Sequence, residues 1–309
     1  MKKCSKKNSV LIIKFGGLGD FILSIDSFYS IRQHHKNENL ILLTEKFYSE
    51  IAEKTGWFEK VITINRSLFY VSDKRQIKKK INLLDIKKVY DLQTSKRSSS
   101  YFNLFNENNI EWSGIVKGCS HFHGNPNRDN LHTVDRFHDQ LKFANVKNFF
   151  KPDLDWLLQP IDKKILPNNF ALIVPGGSAK RKYKRWSPKT YITIAKTLIK
   201  KNIIPLLIGS NDEKDLCNYI CRCVPKAQNC CNKFNIFQLA YLGKKSKIVI
   251  GNDTGPMHLF AKVGKNIFVL FTKHSNPDIC RPKGKNVYIF KEENITKLFK
   301  SLERKINYC

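Results

Sequence analysis

The sequence predicts an α/β fold of two doubly wound domains, and three observations carry that prediction. Apolar strand-like runs alternate with helix-like stretches in both halves of the chain, the order that builds parallel sheets covered by helices. A stretch with Pro152, Pro160 and Pro167 interrupts the alternation near 150–168. The 309 residues suffice for two domains, each burying its own core. The predicted domains are 1–155 and 168–309, with the last helix able to pack back on the first domain.

In the first half, "VLIIKF" reads as a strand, 20–34 as a helix and "LILLTE" as a strand. A helix over 46–55, the strand "KVITIN", a helix over 71–86 and the strand "KKVYDLQ" follow, and then a helix over 132–146. The second half restarts with the strand "FALIVPGG" and a helix opened by Ser187 as N-cap and Pro188 at its first position. Next come "IIPLLIGS" as strand, a helix from about 211, "NIFQLAYLGKKS" as helix and "KIVIGND" as strand. "GPMHLFAKVG" as helix, "NIFVLF" as strand and a helix near 292–306 complete the pattern.

Composition excludes several classes. With 41% hydrophobic and 26% charged residues the chain reads as globular. No stretch approaches the roughly 18 to 20 apolar residues of a membrane span, and the N-terminal run is too short for a signal peptide, so a cytoplasmic protein is expected. Lys and Arg number 55 against 26 Asp and Glu, a net charge of +29 that attracts polyanions, anionic lipid or phosphorylated substrates. That charge is spread along the chain, unlike the concentrated face of a dedicated nucleic-acid binder. Nine cysteines fit free thiols in a reducing compartment. Cys217, Cys221, Cys223, Cys230 and Cys231 cluster without C-x-x-C pairs or a nearby His, which argues against a metal site; Cys217 and Cys221 share a helical face.

Ligands of open parallel sheets bind beyond the carboxyl ends of strands, and three motifs occupy such places. "FGGLGD" ends the first strand: Gly16, Gly17 and Gly19 allow a close approach, and Asp20 is a cap, a catalyst or both. "PGGSAKRKYKRWSP" offers Lys184 or Arg185 to neutralise a leaving group. In "GNDTGPMH", Asp253, Thr254 and Gly255 stand at a helix start suited to an anion, with His258 able to reach back. The glycine loops lack both the P-loop ending and the G-x-G-x-x-G spacing, against kinases and dehydrogenases. His132 and His138, six apart, lie on different helix faces, against a metal pair.

Taken together, "GGLGD", "HTVDR", "PGGSAKRKYKRWSP", "IGSNDE" and "NDTGPMH" resemble, in order and over almost the whole chain, the heptosyltransferase family, the ADP-heptose-dependent glycosyltransferases of lipopolysaccharide core assembly. The resemblance implies two Rossmann-like domains facing a central cleft (GT-B), with the donor held by the C-terminal domain. It implies inverting transfer without a metal or other cofactor, from a nucleotide-sugar donor to an anionic glycolipid acceptor at the inner membrane surface, and no nucleic-acid partner. By the same resemblance Asp20 is the general base, and Lys184, Thr254, Gly255 and His258 hold the donor diphosphate with Asp253 in their turn. Glu213 lies near the ribose, and Gly16, Gly17 and Gly19 make room for the acceptor. The chain departs from the family at Asp26, where many relatives have Pro, and at "FTKHSNP", which replaces a G-P-T turn. The rival readings are a catalytically inactive polyanion or RNA binder on the same fold, and a nucleotide-sugar epimerase.

Overall fold

The computed structural model describes residues 8–65, 70–105, 110–177 and 179–307. The chain divides into two compact units, Met1–Asp153 and Leu154–Cys309.

Among the described residues the first unit holds one six-stranded parallel sheet, in the order β3-β2-β1-β4-β5-β6. Its strands are β1 (Ser9–Ile13), β2 (Asn39–Glu45), β3 (Lys60–Ile64), β4 (Ile86–Asp91), β5 (Glu111–Gly114) and β6 (His121–Phe122). Every residue of β1 is buried, as expected of a central strand covered on both faces. Between β1 and β4 the strand order reverses, because the chain first adds β2 and β3 on one side and then crosses to the other. That reversal opens a crevice at the carboxyl ends of these two strands.

The helices are α1 (Leu18–Leu23), α2 (Ile25–His34), α3 (Lys46–Lys54), α4 (Tyr70–Asn82), α5 (Lys96–Ser99) and α6 (Thr133–Phe143). The single helix expected over 20–34 is two, parted at Ser24, whose Oγ donates 2.7 Å to the Phe21 carbonyl. A Ser side chain bonded back to the preceding turn is a recognised cause of such a break. Leu11, Ile13, Ile41, Leu43, Ile62 and Trp112 pack into one core on the sheet, each large side chain contributing roughly 1.5 to 3 kcal/mol of burial.

The second unit repeats the plan in the order β12-β11-β10-β7-β8-β9, again parallel. Here the strands are β7 (Phe170–Val174), β8 (Ile204–Leu207), β9 (Gln228–Asn229), β10 (Val249–Asn252), β11 (Ile267–Phe271) and β12 (Val287–Lys291). The helices are α7 (Pro188–Lys200), α8 (Lys214–Cys223), α9 (Ile236–Lys245), α10 (Gly255–Val263), α11 (Pro277–Cys280) and α12 (Ile295–Asn307). Ser187 caps α7, its Oγ accepting from Lys189 N, with Pro188 at the first position as expected. From Leu154 onward the proline-bearing stretch joins this unit: Leu157 and Ile161 are buried, and Gln159 N donates 3.2 Å to Phe237 O. Helix α12 buries Leu298, Leu302 and Ile306 in one core with Ile194 and Leu198 of α7. Its apolar stripe thus contributes to the core of its own unit.

No helix among the described residues is long and apolar enough to cross a membrane. The described cysteines form no disulfide, and Cys217 is buried in the α8 core with Cys221 packed against it. No three His, Cys, Asp or Glu among the described residues are grouped to hold a metal ion.

Candidate functional site

Three loops of the second unit, following β7, β10 and β11, bring their side chains to one point. Lys184 Nζ donates 3.0 Å to Ser275 Oγ, which donates 2.7 Å to Asp253 Oδ2. The Lys184 ammonium also lies 3.6 Å from the same carboxylate oxygen, and His258 Nε2 lies 3.9 Å from Asp253 Oδ1. The Cys280 thiol, pushed up to about 11 by burial, sits 3.8 Å from Asp253 Oδ2. Lys184, Asp253 and His258 are therefore gathered as the motifs predicted, and Ser275 is an addition the sequence did not single out.

Thr254 is the N-cap of α10, with Gly255 and Pro256 as its first two residues. Its Oγ1 is buried and makes no hydrogen bond among the described residues. A buried hydroxyl without a partner, at a helix start that presents N–H groups and the positive dipole end, fits an anionic oxygen.

One buried residue holds these loops in register. Asn252 Oδ1 accepts from Trp186 N at 3.0 Å and from Tyr191 OH at 2.7 Å, while its Nδ2 donates to Pro175 O at 2.7 Å and Gly176 O at 2.9 Å. Trp186 Nε1 in turn donates 3.0 Å to Phe271 O. The loops after β7, β10 and β11 are thus tied together beneath the Lys184–Asp253 cluster.

Glu213 is buried and has two duties in the fold itself. Its Oε2 accepts from Ser210 N at 2.9 Å and Ser210 Oγ at 2.7 Å, closing a capping box, and its Oε1 accepts 3.1 Å from Arg185 Nη2. Gly176 is obligatory here, because a Cβ would lie 2.0 Å from Glu213 Cγ. Arg185, whose Nη2 also reaches the Gly177 carbonyl, pairs with Glu213 and not with the Lys184 cluster.

In the first unit, Gly17 is the N-cap of α1 with φ +89°, a conformation that favours glycine. Asp20 stands in the first turn of α1 and is exposed, with no hydrogen bond to its carboxylate among the described residues. Its Oδ2 would lie 2.8 Å from a Cβ built on Gly17, so the glycine leaves room for that carboxylate as well as for a visitor. The crevice between β1 and β4 holds charges the sequence reading passed over. Burial pushes the Lys14 ammonium below the usual lysine range, opposed by Asp20 and Asp91. Asp91 is fully buried and pushed up to about 6 by that burial, although its Oδ1 accepts from Gln93 N and Thr94 N. Arg128 donates to Thr94 Oγ1 at 2.6 Å and to His123 Nδ1 at 3.2 Å, and Arg136, in the first half of α6, keeps its Nε buried. His132 Nδ1 accepts from Val134 N at the start of α6, and His138 stacks on Phe149.

Two doubly wound units with polar side chains gathered at their strand ends define an α/β protein of the kind that binds ligands beyond the carboxyl ends of its strands. Residues 132–308, more than half of the chain, match glycosyltransferase family 9 (heptosyltransferase). The chain belongs to that family, and it is a glycosyltransferase. Lipooligosaccharide heptosyltransferase 2 of Campylobacter jejuni subsp. jejuni serotype O:2 is 27% identical over 260 residues, covering 79% of this chain and 74% of its own. Among solved structures, E. coli ADP-heptose lps heptosyltransferase II superposes with a TM-score of 0.76 at 15% identity, covering 97% of this chain and 99% of that one. UDP-GlcNAc 2-epimerase from Methanocaldococcus jannaschii gives 0.60 at 10% identity, covering 97% and 93%. Likeness at such identities shows a shared fold.

Proposed function

We propose that the chain transfers heptose from ADP-heptose to a lipopolysaccharide-type, lipid-linked acceptor, with inversion at the anomeric carbon and without a metal or other cofactor. The observation that carries this reading is the gathering of Lys184, Ser275, Asp253 and His258 beside the buried Thr254 hydroxyl at the α10 start. A departing diphosphate needs positive charge and N–H donors placed before reaction, and these groups offer both. Lys184, Thr254, Gly255 and His258 hold the diphosphate, Asp253 orients Lys184, and Glu213 meets the ribose. Asp20, exposed and free of hydrogen bonds from the described residues, takes the proton of the attacking hydroxyl. Gly16, Gly17 and Gly19 leave space for that acceptor. A single displacement at the anomeric carbon inverts it.

Names of relatives support the sugar and acceptor, since both the Campylobacter and the E. coli proteins are heptosyltransferases of lipooligosaccharide or lps. Lys14, Arg128 and Arg136 in the β1–β4 crevice, opposed there by the buried Asp91, suit an acceptor that carries anionic groups. The net charge of +29 suits a cytoplasmic enzyme working peripherally at the inner membrane surface.

Calorimetric titration of ADP, UDP and GDP with and without EDTA, on wild type and Lys184→Ala, tests the donor side. ADP is expected to bind equally in EDTA and about 10- to 100-fold more weakly to the variant, the worth of a charge-assisted contact. Metal-dependent binding, or no binding of any of the three, overturns the reading.

A further inference from the structure

We infer that Tyr183 and His274 form an aromatic wall of the donor-sugar subsite and discriminate between sugars. This rests on the proposed donor reading and deepens it.

The Tyr183 ring is 56% exposed, far more than an aromatic side chain serving the core. It meets the His274 ring edge to face, with centroids 5.1 Å apart and planes at 74°. Exposed aromatics scattered singly need no explanation. These two come from different loops, after β7 and after β11, and each immediately precedes a member of the ionic cluster. Tyr183 is followed by Lys184 and His274 by Ser275, and Lys184 Nζ bonds Ser275 Oγ at 3.0 Å. The pair is therefore held in place from below. On the His274 side the turn is fixed as well, by Ser275 N on Thr272 O at 3.2 Å and His274 N on Thr272 Oγ1 at 3.4 Å.

Strand order says which part of the donor reaches them. Across the sheet the neighbours run β11, β10, β7, β8. The loop after β8 carries Glu213; the loops after β7 and β10 carry Gly177, Lys184, Asp253 and Thr254; the loop after β11 carries His274 and Ser275. A donor with its ribose at Glu213 and its diphosphate over the α10 start continues, past the second phosphate, toward the β11 loop. The group beyond the second phosphate is the sugar. Sugar rings present an apolar C–H face and a polar rim, and a pocket for one combines an aromatic surface with a few fixed donors. Tyr183 supplies the surface, while the His274 imidazole, Ser275 and Lys184 supply polar groups at its edge.

The test is calorimetry with ADP and with ADP-heptose, without acceptor, on wild type, Tyr183→Ala, Tyr183→Phe and His274→Ala. Wild type is expected to bind ADP-heptose more tightly than ADP. Tyr183→Ala is expected to lose about tenfold or more for ADP-heptose, the scale of one lost pocket contact, with ADP affinity unchanged. Tyr183→Phe keeps the ring and is expected to keep the preference, and His274→Ala to lose part of it. Equal losses for both ligands, or no loss for either, overturn the wall while leaving the donor site standing. If wild type itself binds neither ligand, the donor reading fails and the wall falls with it. Both residues are exposed, so an unchanged melting curve confirms that the variants fold.

Discussion

The strand ends of the two units compensate charge in opposite ways. In the second unit the charged groups gathered near the α10 start meet one another: Lys184 meets Asp253 both directly and through Ser275, His258 faces Asp253, and Arg185 meets Glu213. In the first unit Asp20 stands exposed with no hydrogen bond from the described residues, while Lys14 and Asp91 are buried in the crevice beside it. A site whose charges are prearranged suits an anion that arrives with its own charge, because little reorganisation accompanies binding. An exposed carboxylate suits a group that must accept a proton and release it. On the proposed reading, the difference assigns holding to the second unit and reacting to the first.

The largest expected effect attacks that division directly. Asp20→Asn removes the proposed proton acceptor while preserving shape, and transfer is expected to fall by about 10²- to 10⁴-fold. Nucleotide affinity, measured by calorimetry, is expected to stay at the wild-type value because the proposed donor site lies in the second unit. Transfer surviving at more than a tenth of wild type would remove Asp20 from the base role; a parallel loss of ADP binding would break the division itself.

Next in size is the scaffold beneath the second unit's cluster. Asn252→Ala leaves the Trp186 N–H, the Tyr191 hydroxyl and two carbonyls without their partner. Unsatisfied buried groups each cost about 1 to 3 kcal/mol, so with four of them a loss of about 4 kcal/mol or more is expected from chemical denaturation. Weaker ADP binding should accompany it, since three loops lose their common tie. A change below about 1 kcal/mol would show that the loops are held by packing alone.

These residues also mark how far the sequence could be read. The alternation of strands and helices was legible because central strands such as β1 and β7 are dominated by apolar runs that lead into turn residues. Strands β5, β6 and β9 were not: β5 reads "EWSG", and the other two are two residues long. Strand β12 escaped although "VYIFK" is apolar, since at the sheet edge only Phe290 is buried and the run merges with the approach to α12. In the site, "GGLGD" and "NDTGPMH" were readable because a strand running into glycine and a helix start is a local signal. Asn252, Asp91 and Ser275 were not readable as partners. Asn252 is tied to Pro175, Gly176, Trp186 and Tyr191, and Ser275 to Lys184, 91 positions away. Only the position of Asn252 and Asp91 at the end of a strand could have drawn attention to them.

The smallest effect sharpens the contrast through pH. Asp91 is fully buried, and its folded value near 6 lies above the unfolded value near 3.8. Between these values the folded chain therefore holds a proton that the unfolded chain has released, so this group's contribution to stability falls as pH rises. The loss begins near pH 4 and is complete above about pH 6. Its size is at most about 3 kcal/mol, from roughly two units at 1.36 kcal/mol each. Asp91→Asn keeps an oxygen for the Gln93 and Thr94 N–H groups and cannot ionise, so the variant should gain on wild type across that window. Denaturant unfolding of both proteins at pH 4, 5, 6 and 7 measures the gap. A gap that widens with pH means the first unit carries the cost of a buried carboxylate opposite Lys14, where the second unit has paired its charges. A flat gap means that Lys14 and the two N–H groups fully compensate Asp91, and the units then differ only in the exposure of Asp20.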